Sequence, residues 1–408
     1  MGGSNFYKIH GFDVANKPKN VDNFDKNGNI HCKTLSGSIC VVDANNLLHP
    51  INIDVMNNPE KYLDFVDISS FESLHIFNEH VKKYSHIISG LSLLYSLLNR
   101  KIHPIMVFDK KTPLLKKNKR ENKDKDNNKD NNKDNASEKK QRNEYLLQSS
   151  QFDEIMKLYD IFGVPIVKSY EEADSQCAAL VLHHYRNYND EIMCISNDSD
   201  AINFGCRRLI TGYSKNKSMV TYYNIDDVML NAMEKVNKIR ADNSMELVNR
   251  FDILDLNNLT ILCGTDYNDR IANVDPVEIM KLYALNDLDV HKVANKMVEM
   301  NLINNEKKDK FLEEWERTLE YYHTAPVIDP ENINISIKKP DTKMIKELIK
   351  MVKINQPLID DIMNILCTLS IYYNNHRKNI RENTGWDKFR SYQAHYCSNR
   401  RKSKYNVT

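Results

Sequence analysis

Four short, unbroken apolar runs stand out in the first half of the chain. They lie at residues 38–42, 105–108, 164–167 and 192–195. The runs at 38–42, 105–108 and 192–195 predict strands buried on both faces, as in a parallel sheet, and 164–167 predicts a short strand. Pro104 suits the first position of the second strand, where no ladder donor is needed. Between the runs, apolar residues recur at helical spacing. Residues 75–100 read as one or two helices, 144–162 as another, and 171–185 as a helix with an acidic first turn. Residues 209–211 and 220–223 read as edge strands. From Asp226 onward the chain is mostly helical, apart from 333–337. Strands alternating with helices predict an α/β fold with a mostly parallel central sheet, followed by a helical region.

Residues 117–142 break this pattern. They are a low-complexity tract of Lys, Asp and Asn with ten basic and six acidic side chains. Such a composition cannot bury a core, so it reads as a disordered insertion or as a mobile basic arm that meets phosphates. The whole chain has 408 residues and a net charge of only +1, so any nucleic-acid surface must arise from local segregation of charge. The eleven glycines form no G-x-G-x-x-G, no G-x-x-x-x-G-K and no G-x-S-x-G, which removes the dinucleotide, Walker and hydrolase-elbow fingerprints. The eight cysteines form no C-x-x-C. They read as buried thiols of a reducing compartment rather than a disulfide framework. No zinc-ligand spacing is present, and His183-His184 reads as helix surface. The longest apolar stretch, 87–98, is too short to span a bilayer, and no secretory segment opens the chain, so the expectation is an intracellular, non-membrane protein.

The chemistry gathers where the strands end. Asp43, Asp109 and the pair Asp198/Asp200 each follow a predicted strand, and ligands of open α/β sheets sit outside the carboxyl ends of the strands. Glu172 and Asp174 open the helix at 171–185, and Asp266 follows the apolar segment 259–264. Taken singly, each has an ordinary use as a helix cap, a dipole partner or a turn former. Seven carboxylates at one edge would instead repel and raise each other's pKa unless cations neutralise them. An all-oxygen donor set suits Mg²⁺ or Mn²⁺, and two such ions suit in-line phosphodiester hydrolysis. The residues themselves therefore point to metal-dependent phosphoryl transfer.

The local wording resembles the flap endonuclease (xeroderma pigmentosum group G) family of structure-specific 5′ nucleases. The segments VVDANNLLHP, HPIMVFDKKTPLLKK, YEEADSQCAALV, SNDSDAINFG and LTILCGTDYND stand in family order, and the likeness runs from residue 1 to about 365. It implies a PIN-like nuclease domain with a helix–two-turn–helix and a helical C-terminal region. The corresponding divisions are 1–116, an insertion at 117–143, 144–255, 256–300 and 301–408. It implies metal-site roles for Asp43, Asp109, Glu172, Asp174, Asp198, Asp200 and Asp266, with Asp174 standing where the family usually has glutamate. Lys116, seven residues after Asp109, matches the family's catalytic lysine. A second catalytic arginine falls on Arg120 or Arg142, with Arg120 preferred. Gly2 matches the family's start near the site, and His49 stands where a DNA-stacking tyrosine is expected. Asn273, Val274 and Asp275 replace the G-I-G of the turn that meets duplex phosphate and K⁺; Asn and Asp tolerate a left-handed backbone better than other non-glycine residues.

The resemblance implies an endonuclease that cuts DNA at a 5′ flap or single-strand/double-strand junction in replication or repair, acting as a monomer with two Mg²⁺ ions, Mn²⁺ serving in their place. Alternatives are a 5′→3′ exonuclease, a PIN-type ribonuclease, or a decayed DNA-binding module. A dehalogenase-like phosphatase would use Asp198-x-Asp200 and leave Asp43, Glu172 and Asp266 without a purpose. No sliding-clamp motif is seen near the C-terminus. Richness in Asn, Lys, Ile and Asp fits an AT-rich genome, viral or cellular, with a cytoplasmic replication site or the nucleus as the compartment.

Overall fold

The computed structural model describes residues 29–117, 145–187, 192–214 and 217–383. A seven-stranded sheet forms its centre, in the order β1-β7-β6-β5-β2-β3-β4. The strands are β1 (Asn29–His31), β2 (Ile39–Asp43), β3 (His103–Phe108), β4 (Ile166–Lys168), β5 (Ile192–Ile195), β6 (Arg208–Thr211) and β7 (Met219–Asn224). The five strands β4-β3-β2-β5-β6 are parallel, and β7 and β1 add antiparallel pairings at one side. All four apolar runs fall in this parallel part; β2, β3 and β5 are buried throughout, as the interior of a parallel sheet requires, while β4 at the edge is only partly covered.

The strand period of two divides the core into two layers. Ile39, Val41, Ile105, Val107, Ile192 and Cys194 face one layer. Cys40, Val42, Met106, Phe108, Met193 and Ile195 face the other. The second layer is built with α1 (Ala44–Asn57), α2 (Leu74–Lys83), α3 (Ser85–Asn99) and α4 (Ser149–Ile161), and is completed by α12 (Thr342–Val352) and α13 (Gln356–Asn383). The first layer takes α5 (Ala173–Asn187), α6 (Asp200–Asn203), α7 (Ile225–Asp242), α8 (Ile253–Cys263), α9 (Pro276–Leu285), α10 (Val290–Glu299) and α11 (Asn305–Thr324). Burying the apolar run 87–98 inside α3, between sheet and helices, explains its length without any membrane. Among the described residues no helix is long and apolar enough to cross one.

Several local expectations change. Residues 209–211 and 220–223 are interior strands, because β1 pairs with β7 and takes one edge while β4 takes the other. Leu209, Ile210 and Thr211 are buried in succession in β6, while β7 mixes buried and half-buried positions. Pro104 sits second in β3, opposite Cys40. The helix predicted at 171–185 begins only at Ala173, so Glu171 and Glu172 belong to the loop before it. His184 is buried rather than on the surface, against the His183 ring at 4.8 Å. Residues 333–337 are non-helical, as expected, and fasten the first layer to the sheet: His103 Nε2 meets the Ile335 carbonyl at 2.8 Å. Just beyond, the Lys338 amide donates to the Gly163 carbonyl. Gly163 has φ +75°, and a Cβ there would lie 2.2 Å from the Lys338 carbonyl oxygen. Only glycine fits both demands. The described cysteines are all free, and six of the seven are buried.

Candidate active site

The strand order reverses at β2: the chain moves outward through β3 and β4, then returns to the opposite flank with β5. A cleft forms at such a switch point, outside the carboxyl ends of the strands. The loops after β2, β3, β4 and β5 meet there, each carrying at least one of the acidic residues.

Asp43 closes β2 and caps α1, accepting from the Asn46 amide at 3.2 Å and from Ser196 Oγ at 2.8 Å. Asp109 follows β3 and is open to solvent on one side; it accepts from the Ala173 amide at 2.6 Å, which ties it to the start of α5. Burial, with help from neighbouring Asp109, raises the Asp43 pKa to about 7. Confinement by the cleft walls, reinforced by Glu172, raises that of Asp109 to about 6. Asp174 and Asp200 are buried, and burial followed by repulsion from their acidic neighbours holds both well above the usual carboxylate range. Asp174 Oδ1 and Asp200 Oδ2 have no hydrogen-bond partner among the described residues. Orphaned acceptors are rare in protein interiors, because desolvation without a bond is costly.

Asp198, Asp200 and Asp266 each offer an oxygen within 4.8 Å of the others. Two devices bring them there. Asn203 at the end of α6 donates to Asn257 and Thr260 on α8, at 3.1 and 3.0 Å, and so fixes Asp200 against the helix that precedes Asp266. Gly264 ends α8 at φ +84°, with Arg270 backbone 2.8 Å from where a Cβ would stand. Thr265 and Asn268 then close a turn that carries Asp266, with Thr265 Oγ1 donating to Asn268 Oδ1 at 2.7 Å.

Lys116 enters this cluster as its counter-charge. Its ammonium is 2.8 Å from Glu172 Oε1 and 3.3 Å from Asp266 Oδ2, and its side chain is only 10% exposed. Burial alone would lower its pKa, but Glu172, Asp266 and Asp174 more than reverse that and hold it protonated. The Tyr267 ring lies 5.5 Å below the ammonium, and the Tyr267 hydroxyl donates to Glu172 Oε2 at 2.7 Å. Behind it Phe204, Tyr267, Tyr321 and Tyr322 form a wall of rings with centroids 5.1 to 6.2 Å apart. The donor set, all carboxylate oxygen with two orphaned acceptors, fits a divalent cation site.

All seven carboxylates and Lys116 thus reach one cleft. Of the other expected site residues, those that the structure describes lie outside this cleft. Asn273 and Asp275 are exposed in the connection from α8 to α9, Val274 packs on the first core layer, and Asp275 caps α9 through the Val277 amide at 2.9 Å. None of the three has a positive φ, so this turn closes without a left-handed residue. The His49 ring accepts from the Leu147 amide at 3.2 Å and meets Phe152 edge-on at 5.3 Å, so it serves local packing. Gly2, Arg120 and Arg142 lie outside the described residues.

Other residues of the site carry no acidic signal. Asn45 and Asn46, in the first turn of α1, accept from the Asp109 amide at 3.2 Å and the Asn197 amide at 2.9 Å. They lock three strand-end loops together. Two asparagines directly after a strand-end aspartate were the available clue. Tyr321 on α11, which donates to Glu171 Oε2 at 3.0 Å, has no sequence signal at all.

Comparison with known proteins agrees with this geometry. Residues 163–266 match the family model described as the XPG I-region. The chain is 26% identical over 298 residues to Flap endonuclease 1 of Tetrahymena thermophila, spanning 69% of this chain and 70% of that one. It is 28% identical over 334 residues to Flap endonuclease 1 of Methanosarcina acetivorans, covering 78% and 86% of the two chains. Its fold is similar to that of the catalytic core of Rad2 in complex with DNA substrate, with TM-score 0.56 and 19% identity over 83% of this chain and 95% of that one. It is also similar to flap endonuclease-1 from Methanococcus jannaschii, with TM-score 0.52 and 18% identity over 84% and 96%.

Proposed function

We propose that this chain is a flap endonuclease/XPG-type nuclease, a metal-dependent endonuclease that hydrolyses DNA at the junction of a single-stranded 5′ flap with duplex. The observation that carries this reading is the convergence of seven carboxylates, two with orphaned buried oxygens, on one cleft beside a protonated lysine. Asp198, Asp200 and Asp266 would hold one Mg²⁺ ion, and Asp43, Asp109, Glu172 and Asp174 would complete a site for a second. When bound, the ions would neutralise the carboxylates, acidify attacking water and stabilise charge on the phosphate oxygens.

The chain's own residues have separate parts in this reading. Lys116 offers a cation to a non-bridging phosphate oxygen, placed by Glu172 and supported by the Tyr267 ring. Asn45, Asn46 and Ser196 hold the strand-end loops at fixed separation, so the carboxylates need not reorganise when substrate binds. Water forms the new P–O bond as the bond to the 3′ oxygen breaks, leaving a 5′-phosphate and a 3′-hydroxyl. The α8–α9 connection with Asn273 and Asp275 is the part that would meet duplex phosphate, with K⁺ as its ion. Asp275 is already engaged as a helix cap there, which favours backbone rather than side-chain contacts.

The test is incision of an end-labelled duplex bearing a 5′ flap, in Mg²⁺, in EDTA, and with Asp198→Asn. Junction cleavage present only in the first condition supports the reading. Binding without cleavage in Mg²⁺ or Mn²⁺ would overturn it.

A further inference from the structure

Beside the carboxylates, on the outer flank of β3 and β4, lies a groove of about 380 Å³ lined by Lys110, Lys111, Tyr170 and Pro326. Lys110 directly follows Asp109, and Tyr170 stands two residues before Glu172, so the groove continues the acidic cleft. We propose that it is a subsite for the single-stranded DNA arm of the substrate, taking the first nucleotides beyond the scissile phosphate. The proposal rests on the nuclease reading above and adds the path of one strand.

The walls are preorganised. The amides of Lys110 and Lys111 donate to the Glu171 carbonyl at 2.8 and 3.4 Å, so the loops after β3 and β4 are tied backbone to backbone. Ser169 Oγ strengthens the tie by donating to the Phe108 and Glu171 carbonyls. The Pro326 side is pinned by Gln176, which is fully buried on α5 and exchanges two hydrogen bonds with the Ile328 backbone at 2.7 and 3.0 Å. A surface groove held by this many hydrogen bonds keeps its shape before any ligand arrives.

Its chemistry suits one strand of nucleic acid. The Tyr170 side chain is 49% exposed, an aromatic face left to solvent next to a polar site. Nucleobases stack on such faces without regard to sequence. Glu171 is offset by Lys111 at 3.3 Å and by the Tyr321 hydroxyl at 3.0 Å. Lys110 has no carboxylate partner among the described residues; its ammonium lies 6.0 Å from the Tyr170 ring centre. One unspent cation beside one exposed ring matches one phosphate and one base. A strand leaving a cluster of seven carboxylates gains from such a cation at its exit.

The experiment measures binding, so it does not depend on turnover. Fluorescence anisotropy in Ca²⁺ would compare a blunt duplex with the same duplex carrying a fluorescein-labelled 5′ oligothymidine arm, for wild type, Tyr170→Ala, Tyr170→Phe and Lys110→Ala. Tyr170→Ala should weaken the armed duplex about tenfold, within the range for one base–aromatic stack, while Tyr170→Phe retains affinity. Lys110→Ala should reduce the salt slope for the armed duplex by about one ion. Blunt duplex should bind all four proteins alike. An abasic nucleotide in the arm should cost wild type what the alanine variant has already lost. Equal effects on both duplexes, or no effect on either, would overturn the subsite. Incision with unchanged arm affinity in Tyr170→Ala would leave the nuclease reading standing and remove this one; arm binding without incision would do the reverse.

Discussion

The Lys116 ammonium lies 2.8 Å from Glu172 Oε1, and both side chains are largely withdrawn from solvent. In the absence of metal, Lys116 supplies positive charge to the acidic cleft. Lys116 therefore competes with any cation that Glu172 and Asp266 would bind. Lys116→Met is expected to bind Mg²⁺ or Mn²⁺ more tightly, by about tenfold, because a cation held near buried carboxylates interacts through a lower dielectric than water. In EDTA the same variant should melt at a lower temperature. Calorimetric titration and thermal unfolding read both effects; an unchanged metal affinity would refute the competition. Incision should fall by roughly 10² or more, as for removal of an electrostatic catalyst.

Asp200 is buried with an orphaned oxygen and a raised pKa. In metal-free protein it is already disposed to carry a proton, so Asp200→Asn should cost little stability or even increase it. With Mg²⁺ present, that variant should lose both incision and the metal-induced rise in melting temperature. A large loss of stability in EDTA would contradict this account of the cluster.

The raised pKa values also set a pH dependence for the metal-free protein. Asp43 near 7 and Asp109 near 6 bind protons more tightly when folded than when unfolded. Between about pH 4 and pH 7 the folded state therefore holds more protons, and stability falls as pH rises. Melting temperature in EDTA should drop across that window, and the increment from Mg²⁺ should grow with it. A flat profile in EDTA would count against the raised pKa values that burial and, second to it, acidic neighbours give these two groups.

At the opposite end of β4, Gly163→Ala places a Cβ against the Lys338 carbonyl at positive φ. The expected cost is about 2 kcal/mol or more in denaturant unfolding, since neither the backbone nor its neighbour can yield. Incision at low temperature should persist, because Gly163 precedes the strand whose other end carries the site.

Much of this was legible in the residues alone. The unbroken runs at 38–42 and 192–195 could only be strands covered on both faces, and the aspartates after them could only emerge at the strands' carboxyl ends. Burial is a local property of composition, and direction follows from chain polarity. The start of the helix at 171–185 is not legible, because Glu171 and Glu172 suit a first turn as well as a loop; the bonds from Lys110, Lys111 and Ser169 to the Glu171 carbonyl hold that residue in the loop.

The sequence by itself determined which chemistry the chain can perform: seven acidic groups and a lysine in order, on an alternating α/β pattern. Tertiary structure decided the rest. It set which strands are edges, because β1 reaches β7 from almost two hundred residues away. It chose Asn45, Asn46 and Tyr321 as supports, and it joined Lys110, Tyr170 and Pro326 into one groove. Those outcomes depend on pairings between distant segments, whose partners are selected by packing and by the need to satisfy buried polar groups, and no local pattern encodes them.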